Sequence, residues 1–323
     1  MVSQVKPYRI LFFGSPEFAI PSLRALVESP DKEDEVIGVV TQPDRPKGRG
    51  RQPAPPPVKE LALKYGLPVY QPETVKDEEF LEQVERLAPD LLVVVAFGQI
   101  LPKYLLEIPP FGGINVHPSL LPKYRGAAPI HWTLIRGETV TGVTIMRLSP
   151  RMDSGEILFQ RAISIEPEDT FGSLHDKLAI FGAEMLLETL HRMKRGMLNP
   201  VSQDESLATY APKIKKEDCL IDWQKSAQEI ANLIRGLDPK PGAYTYLEGR
   251  LLKLFRPKVI PFTAKNSQPG TILDAKKEGL QVATSSGILL VKELQLEGKK
   301  RLPVAEFIKG HPNLIGKRLG KEG

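Results

Sequence analysis

Two uninterrupted apolar runs constrain this fold more than anything else in the chain. Arg9 to Phe13 reads R-I-L-F-F and Leu91 to Ala96 reads L-L-V-V-V-A. A strand with one solvated face alternates apolar and polar residues. A run without alternation is a strand covered on both faces, as in parallel sheets flanked by helices. Both runs end in breakers, Gly14-Ser15-Pro16 and the Phe97–Pro102 stretch. Glu35 to Thr41 reads as a further strand, and Phe18–Glu28, Val58–Tyr65 and Asp77–Leu87 as helices, the last stopped by Pro89. Strands alternating with helices predict an α/β domain of Rossmann-like type with a mostly parallel sheet. The first turn is not a dinucleotide fingerprint. It has one glycine where three are needed, and Pro16 lacks the N–H a pyrophosphate would use.

Gly113 to His117 is a short buried strand broken at Pro118 and followed by a proline-bounded turn. Side chains alternate along a strand, so Asn115 and His117 share one face and Ile114 and Val116 the other. Open α/β sheets hold ligands beyond the carboxyl ends of their strands. Asp153 lies in a Gly/Pro/Ser-rich loop between the strand-like runs Gly142–Leu148 and Glu156–Ile165. An amide, an imidazole and a carboxylate meeting there would supply an oxyanion donor, a proton shuttle and a fixed charge. Singly, each has an ordinary alternative: Asn115 capping a turn, His117 satisfied at a strand end, Asp153 opening an Asp-Ser-Gly turn. Pro129–Arg136 and Thr170–Arg195 read as helices, the latter broken at Gly196.

The 323 residues exceed what one core usually holds, which predicts two domains. We place the boundary in the polar stretch Met197–Lys216, giving 1–207 and 208–323. Past it, a helix from Gln228 to Arg235 precedes short strands at Ala243–Leu247, Leu251–Phe255, Thr271–Asp274, Leu280–Ala283 and Ile288–Leu294. That pattern predicts a small β-barrel. Charge is uneven: residues 208–323 carry 21 Lys and Arg against 12 Asp and Glu, a net of +9, while residues 1–207 carry 23 against 27, a net of −4. The excess suits a polyanionic partner, or else a solvated lysine-rich surface. Gln42–Pro57 has six prolines, with Arg45, Lys47, Arg49 and Arg51 against Asp44 alone. No apolar run reaches the ~20 residues of a membrane span. The amino terminus passes almost directly into a strand, and the single Cys219 suits a reducing compartment, so we expect a cytoplasmic protein. The histidines and the cysteine have no metal-ligand spacing, so no metal is expected. We expect a monomer.

N-V-H-P-S-L-L-P at 115–122, with D-S-G at 153–155, resembles the formyltetrahydrofolate-dependent formyltransferases. R-G-A-A-P-I at 125–130, T-Q-P-D-R-P-K-G-R-G at 41–50 and I-D-W at 221–223 are similar to the branch acting on initiator methionyl-tRNA. The resemblance implies transfer of a formyl group from 10-formyltetrahydrofolate, a co-substrate, to the α-amine of tRNA-bound methionine in translation initiation. Asn115, His117 and Asp153 would be catalytic. Phe97, Gly98, Ser119, Leu120, Leu121 and Pro122 would enclose the folate. Arg45, Lys47, Arg49 and Arg51 would bind tRNA, as would an oligonucleotide-binding-type barrel in 208–323. The alternative is a related formyltransferase with a small acceptor, a glycinamide ribonucleotide or an amino sugar nucleotide. The cationic loop and the basic second domain argue against it, since a small acceptor needs neither.

Overall fold

The amino-terminal apolar run becomes β1 (Tyr8–Gly14) in the computed structural model, which describes residues 6–29, 34–47, 52–261 and 267–320. In chain order there follow α1 (Ile20–Glu28), β2 (Asp34–Val40), β3 (Arg45–Lys47), β4 (Gln52–Ala54), α2 (Pro57–Lys64), β5 (Val69–Tyr70), α3 (Glu78–Leu87), β6 (Leu91–Val95), α4 (Lys103–Leu106) and β7 (Gly113–His117). Then come α5 (Pro129–Ile135), β8 (Val140–Arg147), β9 (Ile157–Ser164) and α6 (Phe171–Lys194). The remainder holds α7 (Ala227–Leu237), β10 (Tyr244–Leu247), β11 (Arg250–Ile260), β12 (Ile272–Lys276), β13 (Gly279–Ala283), β14 (Ile288–Leu296), β15 (Leu302–Pro303) and α8 (Val304–Gly310). Helices α1, α2 and α5 carry proline in their first turn, where the missing N–H has no helical partner to lose.

One sheet runs in the order β5-β2-β1-β6-β7-β8-β9. Its first five strands are parallel, and β8 runs antiparallel to β7. β1 pairs with β2 on one side and β6 on the other, so successive connections leave β1 in opposite directions. Such a reversal opens a crevice at the carboxyl ends of the strands. The unbroken apolar runs are explained by the two faces. Leu11, Phe13, Leu92 and Val94 join Phe80 and Val84 of α3 in one core cluster. Ile10, Phe12, Leu91 and Val93 are equally inaccessible on the other face. On β7, Val116 points away from Asn115 and His117, and α6 approaches it so closely that a Cβ on Gly182 would come within 2.8 Å of the valine Cγ1. At the far end of α6, Lys194 pairs with Asp34 at 3.0 Å, the lysine side chain only 2% exposed. Removing one partner of such a buried pair typically costs about 3–5 kcal/mol.

A second, all-antiparallel sheet has the order β10-β11-β14-β13-β12, with β15 on β14. Its core gathers Ile230, Ile234 and Leu237 of α7 with Leu252, Leu254, Val282, Leu289, Val291 and Leu294, and Ile135 of α5 packs against it. A mostly parallel α/β sheet followed by an antiparallel β unit is the predicted fold class. Strand β11 is longer than the sequence reading, which stopped at Phe255. Arg256 adopts φ +52° and interrupts the ladder, yet pairing resumes at Pro257 opposite Val291. Pro257 costs the strand only the bond its own N–H would make.

The chain divides into two compact units. One comprises the described residues of Met1–Gly126, Thr141–Ser164 and His175–Tyr210, the other those of Ala127–Val140, Ile165–Leu174 and Ala211–Gly323. The second unit therefore takes in two segments from well before residue 207. Gly172 N–H donates to Asp238 O at 3.0 Å and Trp132 Nε1 to Pro212 O at 2.7 Å within it.

Candidate active site

The site is built at the carboxyl end of β7. Asn115 lies between Val94 of β6 and Met146 of β8, and His117, the last residue of the strand, pairs with Thr144. The Asn115 side chain is half-buried, and its amide makes no hydrogen bond among the described residues. His117 is nearly inaccessible, hydrogen-bonded through one ring nitrogen and facing a carboxylate with the other. Nε2 lies 3.0 Å from Tyr124 O, and Nδ1 lies 3.7 Å from Asp153 Oδ2. A carbonyl oxygen can only accept, so Nε2 carries the proton and Nδ1 is the nitrogen that faces the carboxylate.

Asp153 reaches this position from the β8–β9 loop. It adopts φ +48°, a left-handed conformation that aspartate tolerates better than most residues. Gly126 N–H donates to its Oδ2 at 2.7 Å. Gly155 has no alternative as a residue type: a Cβ there would stand 1.8 Å from Arg147 O. Ser149 Oγ and Ser154 Oγ both donate to Arg151 O, closing the loop on itself.

The turn after β7 is held from below by Thr144, which is fully buried. Its hydroxyl donates to Ser119 O at 2.7 Å and accepts from Leu121 N–H at 3.2 Å and from Gln160 Nε2 at 2.7 Å. Ser119 Oγ in turn donates to Lys123 O. Ser119 and Leu121 are buried, while Leu120 and Pro122 are partly accessible. Any ligand over this turn therefore meets Leu120, Pro122 and main chain. On the neighbouring β6 turn, Ala96 and Gly98 have φ +49° and +91°. The Phe97 ring is 2% exposed and stands edge-on to Phe13, with centroids 5.2 Å apart. Its ring belongs to the core, so its contribution to a ligand is backbone. Phe97 O accepts from Gln42 Nε2 at 3.3 Å.

Gln42 also begins the cationic segment, read from the sequence as a proline-rich loop. It contains the β3–β4 hairpin, with Arg45 opposite Ala54, Pro46 opposite Pro53 and Lys47 opposite Gln52. The two prolines form the one kind of antiparallel pair that exchanges no N–H bonds, which is how a proline-rich stretch still pairs. Its base is tied down: Asp44 takes Lys59 Nζ at 2.8 Å and Gln71 Nε2 at 2.8 Å, and those bonds hold its carboxyl below the usual range. Arg45 is exposed. Lys47 ends β3, while Arg49 and Arg51 lie outside the described residues.

Sequence reasoning named Asn115, His117 and Asp153 but missed the groups that hold them. Gly126 N–H and Gln203 hold Asp153, and Thr144 and Gln160 hold the neighbouring turn; of the four only Gly126 lies in a motif read from the sequence, R-G-A-A-P-I. Arg125 is 2% exposed and fully engaged, with Nε and Nη2 on Gln203 Oε1 and both Nη atoms on Glu205. Its hydrogen bond with Glu205 raises the guanidinium's pKa and lowers that of the carboxyl. An open depression lined by Asp90, Tyr104, Glu107 and Ile108 lies at the amino ends of β6 and β7 and contains none of these residues. Among the described residues no group of His, Cys, Asp and Glu could hold a metal, and no helix is long and apolar enough to cross a membrane.

An amide uncommitted among the described residues thus lies beside a histidine–carboxylate pair, at the carboxyl edge of a mostly parallel sheet. The chain belongs to the formyl transferase family: a family profile described as "Formyl transferase" matches residues 8–190, and "Formyl transferase, C-terminal domain" matches residues 213–312. Among curated relatives, "Methionyl-tRNA formyltransferase" of Geobacter sulfurreducens is 52% identical over 315 residues, covering 98% of both chains. That of Geotalea daltonii is 50% identical over 312 residues, covering 97% of this chain and 98% of its own. Of solved structures, HypX from Aquifex aeolicus in complex with tetrahydrofolic acid matches 95% of this chain and 48% of its own, with TM-score 0.64 and 21% identity. An N-formyltransferase from Helicobacter canadensis, in complex with folinic acid and dTDP-3-aminofucose, matches 91% of this chain and 100% of its own, with TM-score 0.67 and 16% identity. At those identities the likeness is one of fold.

Proposed function

We propose that this chain transfers the formyl group of 10-formyltetrahydrofolate to the α-amine of methionyl-initiator tRNA, yielding the N-formylated initiator for translation. The observation that carries it is His117 fixed between Tyr124 O and Asp153, beside an Asn115 amide with no hydrogen-bond partner among the described residues, in a chain half identical to relatives of that name. Attack of the amine on the formyl carbon puts negative charge on oxygen and positive charge on nitrogen. The Asn115 amide cannot ionise, so it serves only as a donor to that oxygen. Asp153 takes the proton of the new ammonium and hands it to the bare His117 Nδ1 that faces the same carboxylate, and Nδ1 passes that proton on to the departing folate nitrogen. No covalent enzyme adduct is needed, because the donor is already an activated amide. The turns at Phe97–Gly98 and Ser119–Pro122 bind the folate ring through main-chain groups and the accessible faces of Leu120 and Pro122.

Arg45, Lys47, Arg49 and Arg51 contact the tRNA. For Arg45 the anchored base of the β3–β4 hairpin supports this, since a cation on a fixed stem loses less freedom on binding. Residues 1–207 supply the chemistry and 208–323 a second RNA surface, a reading that the +9 charge supports. The protein acts as a monomer in the cytoplasm. The test is incubation with labelled 10-formyltetrahydrofolate and three acceptors: charged initiator tRNA, a glycinamide ribonucleotide and an amino sugar nucleotide. Labelled formyl-methionine recovered after ester hydrolysis supports the proposal. Label in a small acceptor but not in the tRNA overturns it.

A further inference from the structure

We infer that Gln203 is a positioning residue that holds the Asp153 carboxylate in register with His117. The inference rests on the catalytic reading of Asn115, His117 and Asp153 given above. Gln203 has a primary amide with four hydrogen-bonding sites, and all four are taken. Nε2 donates to Asp153 O at 2.9 Å and to Gly155 O at 2.7 Å. Oε1 accepts Nε of Arg125 at 3.0 Å and Nη2 at 2.8 Å. The two sides are chemically opposite, carbonyls that only accept and a guanidinium that only donates, so only one orientation of the amide satisfies both.

The contacts close a ring. Arg125 is followed by Gly126, whose N–H binds the Asp153 carboxylate; Asp153 O is held by Gln203; and Gln203 returns to the Arg125 side chain. Tyr124, just before Arg125, supplies the carbonyl on His117 Nε2. Both nitrogens of the catalytic imidazole are thus referred to one side chain 50 residues from Asp153 in sequence. The left-handed φ of Asp153 makes that hold necessary, because a non-glycine residue keeps such a conformation only where its surroundings enforce it.

Gln203→Glu separates positioning from bulk stability. A carboxylate still receives both Arg125 bonds, but it sets oxygen against the carbonyls of Asp153 and Gly155 and releases the loop. Turnover with initiator tRNA is expected to fall ~10- to 100-fold, the scale of a small misplacement of a reacting group. The KM for the folate co-substrate should stay within ~2-fold, since no folate contact changes. The deciding measurement is a cycle with Asp153→Ala. If Gln203 acts through Asp153, Gln203→Glu costs less than ~3-fold once the carboxylate is gone. An undiminished loss in the Asp153→Ala background overturns the inference and leaves the catalytic reading standing. Near wild-type turnover in Asp153→Ala itself overturns that reading and this inference with it. Should Gln203→Glu fail to fold, Gln203→Met, of similar length and without hydrogen bonds, is read in the same cycle against the same two criteria.

Discussion

At the scale of single residues, the strongest expectation attaches to the two side chains of β7. Asn115→Ala and His117→Ala should each lower kcat at least ~10²-fold, the usual scale for losing an oxyanion donor or an acid–base group. Single-turnover formylation with a circular dichroism control for folding measures this, and near-normal turnover in folded His117→Ala would remove the histidine from the chemistry. Cys219 gives the opposite kind of expectation. Burial, reinforced by Asp218, pushes its thiol up, and its Sγ donates to Lys215 O at 3.3 Å. The thiolate reacts, not the thiol, so native protein should resist a thiol reagent at neutral pH and react in full once denatured. The placement of Asn115 and His117 on one face of a strand, and of Asp153 in a loop, was legible because period-2 alternation and a Gly/Pro/Ser-rich loop are local signals. Gln203 was not, because what makes it important is the hydrogen bonding of residues far off in sequence, and its own neighbours read only as polar.

At the scale of elements, α7 tests how well capping chemistry transfers. Ser226 and Glu229 form a reciprocal capping box: Ser226 Oγ accepts from Glu229 N–H at 3.3 Å while Glu229 Oε2 accepts from Ser226 N–H at 3.0 Å. Ser226→Ala should cost about 1 kcal/mol in urea denaturation at neutral pH. The bond from the Ser226 hydroxyl lowers the Glu229 pKa in the fold. A depressed carboxyl stabilises the fold above its unfolded value and loses that contribution as pH falls through the folded one. The gap between wild type and Ser226→Ala should therefore narrow below about pH 4. A gap that widened in acid would contradict the assignment. The cationic segment read from the sequence carries the other expectation: Arg49→Ala, outside the described residues, should leave stability within about 0.5 kcal/mol, the usual range for a solvated loop cation. It should slow formylation of intact tRNA more than of a short aminoacyl-nucleotide mimic, and an equal defect on both would place the arginine in the active site instead. The hairpin escaped sequence reading because proline and glycine are turn signals, and a ladder of three pairs has no hydrophobic pattern. Strand β5, two residues long, left none either.

At the scale of the whole molecule, the expected tRNA affinity is mainly electrostatic. Its logarithm should fall steeply and linearly with the logarithm of salt concentration, and charge-neutral replacements of lysines in 208–323 should flatten the slope. Unchanged slopes would mark those lysines as a solvated surface. Both β units were legible in the periodicity of the sequence. The assignment of 127–140 and 165–174 to the second unit was not, since helix α5 carries the same apolar signal whichever core it joins.

That assignment has a consequence for synthesis. Ile135 of α5 packs on a core whose other members begin at Cys219, and Gly172 takes its carbonyl from Asp238. A ribosome adding about 5–20 residues per second reaches Asp238 only ~3–20 s after it has made these segments. Throughout that interval the nascent chain carries an apolar helix face whose core has not been made. The expected outcome is that arrested chains ending before α7 bind a chaperone that chains extending beyond Leu296 do not, and equal binding by both would show that the exposed face has no such effect.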